Sequence, residues 1–243
     1  MNTKKLIVPL ALFILMGMFA TVSFGCWTIP EDRSPENSIK EERTVSNFTE
    51  LQIGGAFEVY LSQGDQEKLV LEADAEEMKQ IVTEVVGNKL KIYTKSGWDG
   101  HMHNMAIYLT FKNLDYIDFS GAVEVESENA LMFNELEMDV SGAAEIDMEF
   151  KAEKFEAEFS GASEVDFRGS CKTGYLELSG ASEFDAEGLE FQDLNIDVSG
   201  ASDAKVWATG NLTIDASGAS SIRYKGNPKV SIDESGASSV KPL

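Results

Sequence analysis

One three-residue phrase, Ser-Gly-Ala, recurs seven times in the second half of the 243-residue chain. The copies begin at Ser120, Ser141, Ser160, Ser179, Ser199, Ser217 and Ser235, with steps of 21, 19, 19, 20, 18 and 18 residues. A period of about 19 residues is that of a small structural unit that stacks on its neighbours.

Each copy has the same surroundings. The residue two before the Ser is Asp118, Asp139, Glu158, Glu177, Asp197, Asp215 or Asp233, acidic in every copy. The flanking positions are apolar in nearly all: Ile117, Met138, Ala157, Leu176, Ile196, Ile214 and Ile232 precede the acids, and Phe119, Val140, Phe159, Leu178, Val198, Ala216 and Glu234 follow them. After the corner come Glu124, Glu145, Glu164, Glu183, Asp203, Ser221 and Ser239, each followed by an apolar residue from Val125 to Val240. Alternation with period two marks strands with one buried and one solvated face. Between two such strands Gly permits a backbone that other residues resist, and small neighbours allow a sharp corner.

No stretch between copies has the length or the 3.6 period of a crossover helix, which argues against βαβ units and leucine-rich horseshoes. About 19 residues at ~3.3 Å each make one turn of a coil of parallel strands. Turns stacked ~4.8 Å apart would give a rod on the order of 30 Å for the seven copies. The expectation is therefore an all-β parallel β-helix of about 19-residue repeats. A propeller or a sandwich of hairpins is the alternative, weakened by the short period and by the lack of Asn-Gly turns between copies.

The first half carries a diverged version. Gly54-Gly55-Ala56-Phe57-Glu58-Val59 reads as an eighth corner, preceded by Val45, Phe48, Leu51 and Ile53. Leu69–Ala73, Leu90–Tyr93 and Ala106–Phe111 read as strands, with a turn at Gly87-Asn88. Met78, Ile81, Val82 and Val85 lie at helical spacing behind Asp74, which predicts a short helix over 74–86.

Residues 1–25 form an export signal: Lys4 and Lys5, an apolar run from Leu6 to Ala20, then small residues. The run is short for a spanning helix. Gly25-Cys26 resembles the end of a bacterial lipobox, with Phe24 and Ser23 departing from its usual residues, so Cys26 is the candidate lipidation site and a general signal peptidase cut at the same bond is the alternative. Residues 26–42, with Pro30 and Pro35 and many charges, read as a flexible tether. The folded domain is expected over 43–243, with 43–111 diverged and 112–243 regular. The only other cysteine, Cys171, is then a lone packed thiol, or a partner for an unlipidated Cys26 in an oxidising compartment. The expected location is the cell envelope, as an outer-membrane lipoprotein, otherwise periplasmic or secreted.

A net charge of −22 argues against nucleic acid as a partner, which needs clustered Lys and Arg, and against anionic membrane surfaces except through the N-terminal anchor.

The phrases Arg43–Phe48, Gly55–Gly64 and Leu90–Tyr93, followed by serial Ser-Gly-Ala corners, resemble the putative autotransporter adhesin, head GIN domain family from about Arg43 to Val240. The resemblance implies a right-handed parallel β-helix, pectin-lyase-like in shape, with glycine corners between sheets. It also implies a Gram-negative envelope setting, especially in Bacteroidetes, and adhesion as the role. It carries no catalytic residues.

Three chemistries follow from the residues. Acids stacked ~4.8 Å apart repel by roughly 1 kcal/mol per pair even in water, and Ca²⁺ bound along Asp118, Asp139, Glu158, Glu177, Asp197, Asp215 and Asp233 would relieve it. Splayed, screened side chains need no ion, and the Gly-Gly-x-Gly-x-Asp pattern of calcium-binding rolls is absent. Paired carboxylates can hydrolyse glycosides, but the copies are monotonous, and Lys205, Arg223, Lys225 and Lys229 are not expected to converge with the acids. His101 and His103 alternate in a loop-like stretch without further ligands. The corner serines lack a Gly-x-Ser-x-Gly context and are read as hydrogen-bonding at the turn. The sequence therefore predicts a non-enzymatic envelope adhesion module for a protein or glycan ligand, able to self-associate through its strand edges. A periplasmic structural or stress-response component is the alternative, and a carbohydrate-active enzyme the weaker one.

Overall fold

The computed structural model describes residues 38–95 and 105–243, and most of them are extended. In the first half the strands are β1 (Ile39–Arg43), β2 (Glu50–Gln63), β3 (Lys68–Ala73), β4 (Ile81–Val86), β5 (Lys89–Thr94) and β6 (Ala106–Phe111). The repeats supply β7 (Tyr116–Ser127), β8 (Leu131–Gly180), β9 (Glu183–Val198), β10 (Asp203–Ala216), β11 (Ser221–Lys225), β12 (Lys229–Glu234) and β13 (Ser239–Pro242).

The chain is all-β, but the expected right-handed parallel β-helix is overturned by the pairing. One thirteen-stranded sheet mixes both senses, in the order β1-β3-β6-β2-β7-β8-β9-β10-β11-β13, with β12 on β10, β4 on β5 and β5 on β2. The pairs β1–β3, β3–β6 and β4–β5 are antiparallel. The cause is visible at Gly87, whose φ of 67° makes a two-residue return from β4 to β5. Such a return can join only antiparallel neighbours. In the first half β2 keeps the parallel pairing of the copies, with β5, β6 and β7, while β1, β3 and β4 pair antiparallel.

The helix expected over 74–86 is also corrected. A single turn, α1 (Ala75–Met78), is capped by Asp74, whose carboxylate accepts from the amides of Glu76 and Glu77. Beyond it the β-branched run Ile81-Val82-Thr83 enters β4 and pairs with β5. Residues 39–42 of the stretch read as tether lie in a strand, Ile39–Arg43, paired with β3.

The repeats pair in parallel and in register. Gly55 lies opposite Gly121, and Gly121 opposite Gly142. Gly55 is thus an eighth copy of the corner. The apolar columns on both sides of it are buried: Ile117, Met138, Leu176 and Ile196 are at most 3% exposed, as are Val125, Ile146, Val165 and Phe184. Phe150, Phe155, Phe159, Phe167 and Phe184 fill the middle of one continuous core, edge to face, with Phe167 5.4 Å from Phe150 and 5.6 Å from Phe184.

Candidate functional site

Each corner is fixed by its glycine. Gly121, Gly142, Gly161 and Gly180 have φ between 108° and 126°. A Cβ on any of them would lie 2.2–2.3 Å from the carbonyl oxygen of the preceding corner glycine. The backbones therefore touch along this column, which only glycine allows. The corner serines hydrogen-bond as expected: Ser120 Oγ to the Ile53 carbonyl, Ser179 Oγ to that of Phe159, and Ser199 Oγ to that of Leu178, at 3.4–3.5 Å.

With the corners locked, the outward positions before them form straight columns. Gln52 heads the acidic one and donates to Asp118 at 2.7 Å. Tyr116 donates a short hydrogen bond to Asp139. Partial burial, then the Asp139 carboxylate, pushes the Tyr116 phenol well above its ordinary range. Asp139, Glu158, Glu177 and Asp197 continue the column, in register from β8 through β9.

A second column runs beside it, four residues before the Ser of the first six copies: Tyr116, Glu137, Glu156, Tyr175, Asn195 and Thr213. Between the two lies an open groove of about 340 Å³. Its carboxylates are Glu137, Asp139, Glu156, Glu158, Glu177 and Asp197, and Tyr175, Asn195 and Thr213 complete the wall. Lys154 is the one basic residue ion-paired to a groove acid among the described residues, 2.7 Å from Glu156, and it also lies 5.7 Å from the Tyr175 ring. The groove thus combines strong negative potential, a half-exposed aromatic ring and neutral hydrogen-bonding groups.

The seven acids proposed as calcium ligands are spread along the sheet. Asp118 sits with Gln52 and outside the groove, four line or neighbour it, and Asp215 and Asp233 follow on β10 and β12. Among the described residues no group of three or more His, Cys, Asp or Glu is placed to hold a metal ion. The acids after the corner, Glu145, Glu164 and Glu183, stand in register on the other side of the glycines and do not line the groove.

Lys205 meets an acid that belongs to neither acidic column. Its Nζ lies 2.7 Å from Asp185 on the neighbouring strand. Partial burial opposes ionisation of Asp185, but the Lys205 hydrogen bond and the Glu187 amide hold its carboxyl below the ordinary range. Lys225 lies over the Trp207 ring at 4.5 Å. Cys171 is buried, its Sγ donating to the Thr173 carbonyl, and burial pushes the thiol up to about 11. The stretch expected to be an export signal, Cys26, the expected tether up to residue 37, His101 and His103 lie outside the described residues.

Two features escaped the sequence reading. The groove's second column was missed because its chemistry varies, although one further step of two residues from each Ser reaches it. The other is a buried hydroxyl column three residues after the Ser, at Ser163, Ser182, Ser202 and Ser220, all at most 5% exposed. The recurring fourth letter in Ser-Gly-Ala-Ser was the available signal.

Among the described residues no helix is long and apolar enough to cross a membrane. Residues 47–228 match the model of the family described as putative auto-transporter adhesin, head GIN domain, in agreement with the resemblance read from the corner phrases. A putative adhesin from Bacteroides fragilis shares the fold with a TM-score of 0.81 at 22% identity, over 86% of this chain and 98% of its own. A putative adhesin from Parabacteroides merdae does so with a TM-score of 0.67 at 16% identity, over 86% and 97%. A putative lipid binding protein from Parabacteroides distasonis gives 0.67 at 22% identity, over 86% and 98%. No curated protein matches the sequence.

Proposed function

The chain belongs to the family described as putative auto-transporter adhesin, head GIN domain, and from that premise we propose that it is a non-enzymatic binding module of the cell envelope whose ligand-facing surface is the acid-lined groove. The observation that carries the reading is the convergence of six carboxylates on about 340 Å³ with, among the described residues, a single ion-paired lysine. Like charges at strand spacing repel, and a cationic partner that displaces water from the groove relieves that repulsion while the Tyr175 ring offers a stacking surface. A Lys/Arg-rich protein segment or an amino-bearing glycan has that chemistry. The rigid glycine column matters here, because a groove that does not reorganise loses less entropy on binding.

The export signal and Cys26 support a lipid-anchored position at the envelope, with the tether holding the sheet away from the membrane. Protease treatment of intact producing cells, with the membrane fraction probed for lipid on Cys26, tests the setting. Loss of the protein from intact cells is the expected result. Cleavage only after the outer membrane is broken would overturn the adhesin reading and favour a periplasmic component.

A further inference from the structure

Among the described residues β12 pairs with β10 alone, along one of its two edges. Its inner residues lose the cover their counterparts have: Ile232 is 45% exposed, whereas Ile214, opposite it on β10, is 1% exposed. The neighbouring end strand is blunted differently. In β13, Pro242 cannot donate, and Glu234 turns its carboxylate onto the Val240 amide at 2.7 Å. β12, whose own Glu234 supplies that carboxylate, has no proline among its six residues. An open edge with apolar residues beside it calls for a partner strand.

The sequence of β12 fits its own copy. The register with β10 puts Val230 and Ile232 on the core side and Lys229, Ser231 and Asp233 on the outer side. Two copies of one edge related by a two-fold axis run antiparallel. A register centred on Ser231 keeps core-side residues opposite core-side residues. It places Val230 opposite Ile232 of the second copy and Lys229 opposite its Asp233, each pair occurring twice. In the isolated chain neither the Lys229 nor the Asp233 side chain has an ion-pair or hydrogen-bond partner among the described residues. Centring the pairing on Val230 or Ile232 instead loses the charge match.

We infer that the free edge of β12 is a self-recognition surface, through which two copies of this chain join antiparallel about Ser231 with reciprocal Lys229–Asp233 pairs. Such an isologous contact closes on itself, so it caps the edge and stops at two copies. The dimer presents two grooves, and two linked sites raise avidity for a repetitive surface. The inference rests on β12 alone and stands or falls independently of what the groove binds.

Sedimentation equilibrium of the full chain tests it, because the paired residues are exposed and their exchange leaves the core untouched. The wild type is expected to show a reversible monomer–dimer equilibrium. Lys229→Asp or Asp233→Lys sets like charges face to face twice and is expected to weaken dimerisation by roughly tenfold or more. The double exchange Lys229→Asp with Asp233→Lys rebuilds both pairs and is expected to restore it. A wild type that stays monomeric at every concentration, or a double exchange no better than the single ones, would overturn the proposal.

Discussion

A Cβ on Gly142 would stand 2.3 Å from the carbonyl oxygen of Gly121, inside any real contact distance. The same residue has φ 108°, where side-chain-bearing residues are strained. Gly142→Ala is therefore expected to cost about 3 kcal/mol or more, read from denaturant midpoints, since the Gly121 backbone must give and the alanine stays strained. Gly87, at φ 67° with no atom within 4 Å of its Cβ position, is the control. Gly87→Asn should cost about 1 kcal/mol or less, because Asn tolerates that conformation.

Phe167 is fully buried and packs on Phe150, Phe155, Phe159 and Phe184. Phe167→Ala removes the centre of this cluster and leaves a cavity, so a loss of about 3–5 kcal/mol is expected in thermal or denaturant unfolding. A loss below about 1 kcal/mol would show that the aromatic column is not the middle of the core.

The buried serines divide into two kinds. Ser163 Oγ has no hydrogen-bond partner among the described residues, whereas Ser220 Oγ donates to the Ser217 carbonyl at 3.0 Å. Ser163→Ala removes an unmet polar group and should be neutral or stabilising by up to about 1 kcal/mol. Ser220→Ala should cost about 1 kcal/mol. Equal costs at the two sites would contradict the assignment.

The Asp185–Lys205 pair predicts a pH dependence. Asp185 is held below its ordinary range in the folded chain, so its contribution is full above the unfolded carboxyl pKa and disappears as pH falls through the folded value. Lys205 is raised by the same contact, so its share is full below the unfolded ammonium pKa and is lost as pH rises through the folded one. Lys205→Met should cost about 1 kcal/mol or less at neutral pH. Its penalty should vanish in acid, once wild-type Asp185 is also protonated.

Much of this was legible in the sequence. The period-two pattern around each Ser located the buried columns, and Gly54-Gly55-Ala56 correctly announced an eighth corner. What misled was regularity. The repeat speaks for Tyr116 onward, and its parallel pairing was carried into a first half where Gly87 and the antiparallel strands obey different local rules. Met78, Ile81, Val82 and Val85 match a helical stripe, but β-branched residues beside an open strand edge choose the sheet. The groove was half legible. Its acids are periodic, whereas Tyr175, Asn195 and Thr213 share only a position.

The most direct test of the groove is binding of an oligo-lysine peptide to two variants of equal net charge. One carries Glu156→Gln, Glu158→Gln and Glu177→Gln in the groove. The other carries Glu145→Gln, Glu164→Gln and Glu183→Gln beyond the glycine corner. If the groove is the binding face, the first variant loses roughly tenfold or more in affinity and the second stays near wild type. Equal losses in both would mean that only the overall charge of the chain is being read, and the groove would have no special role.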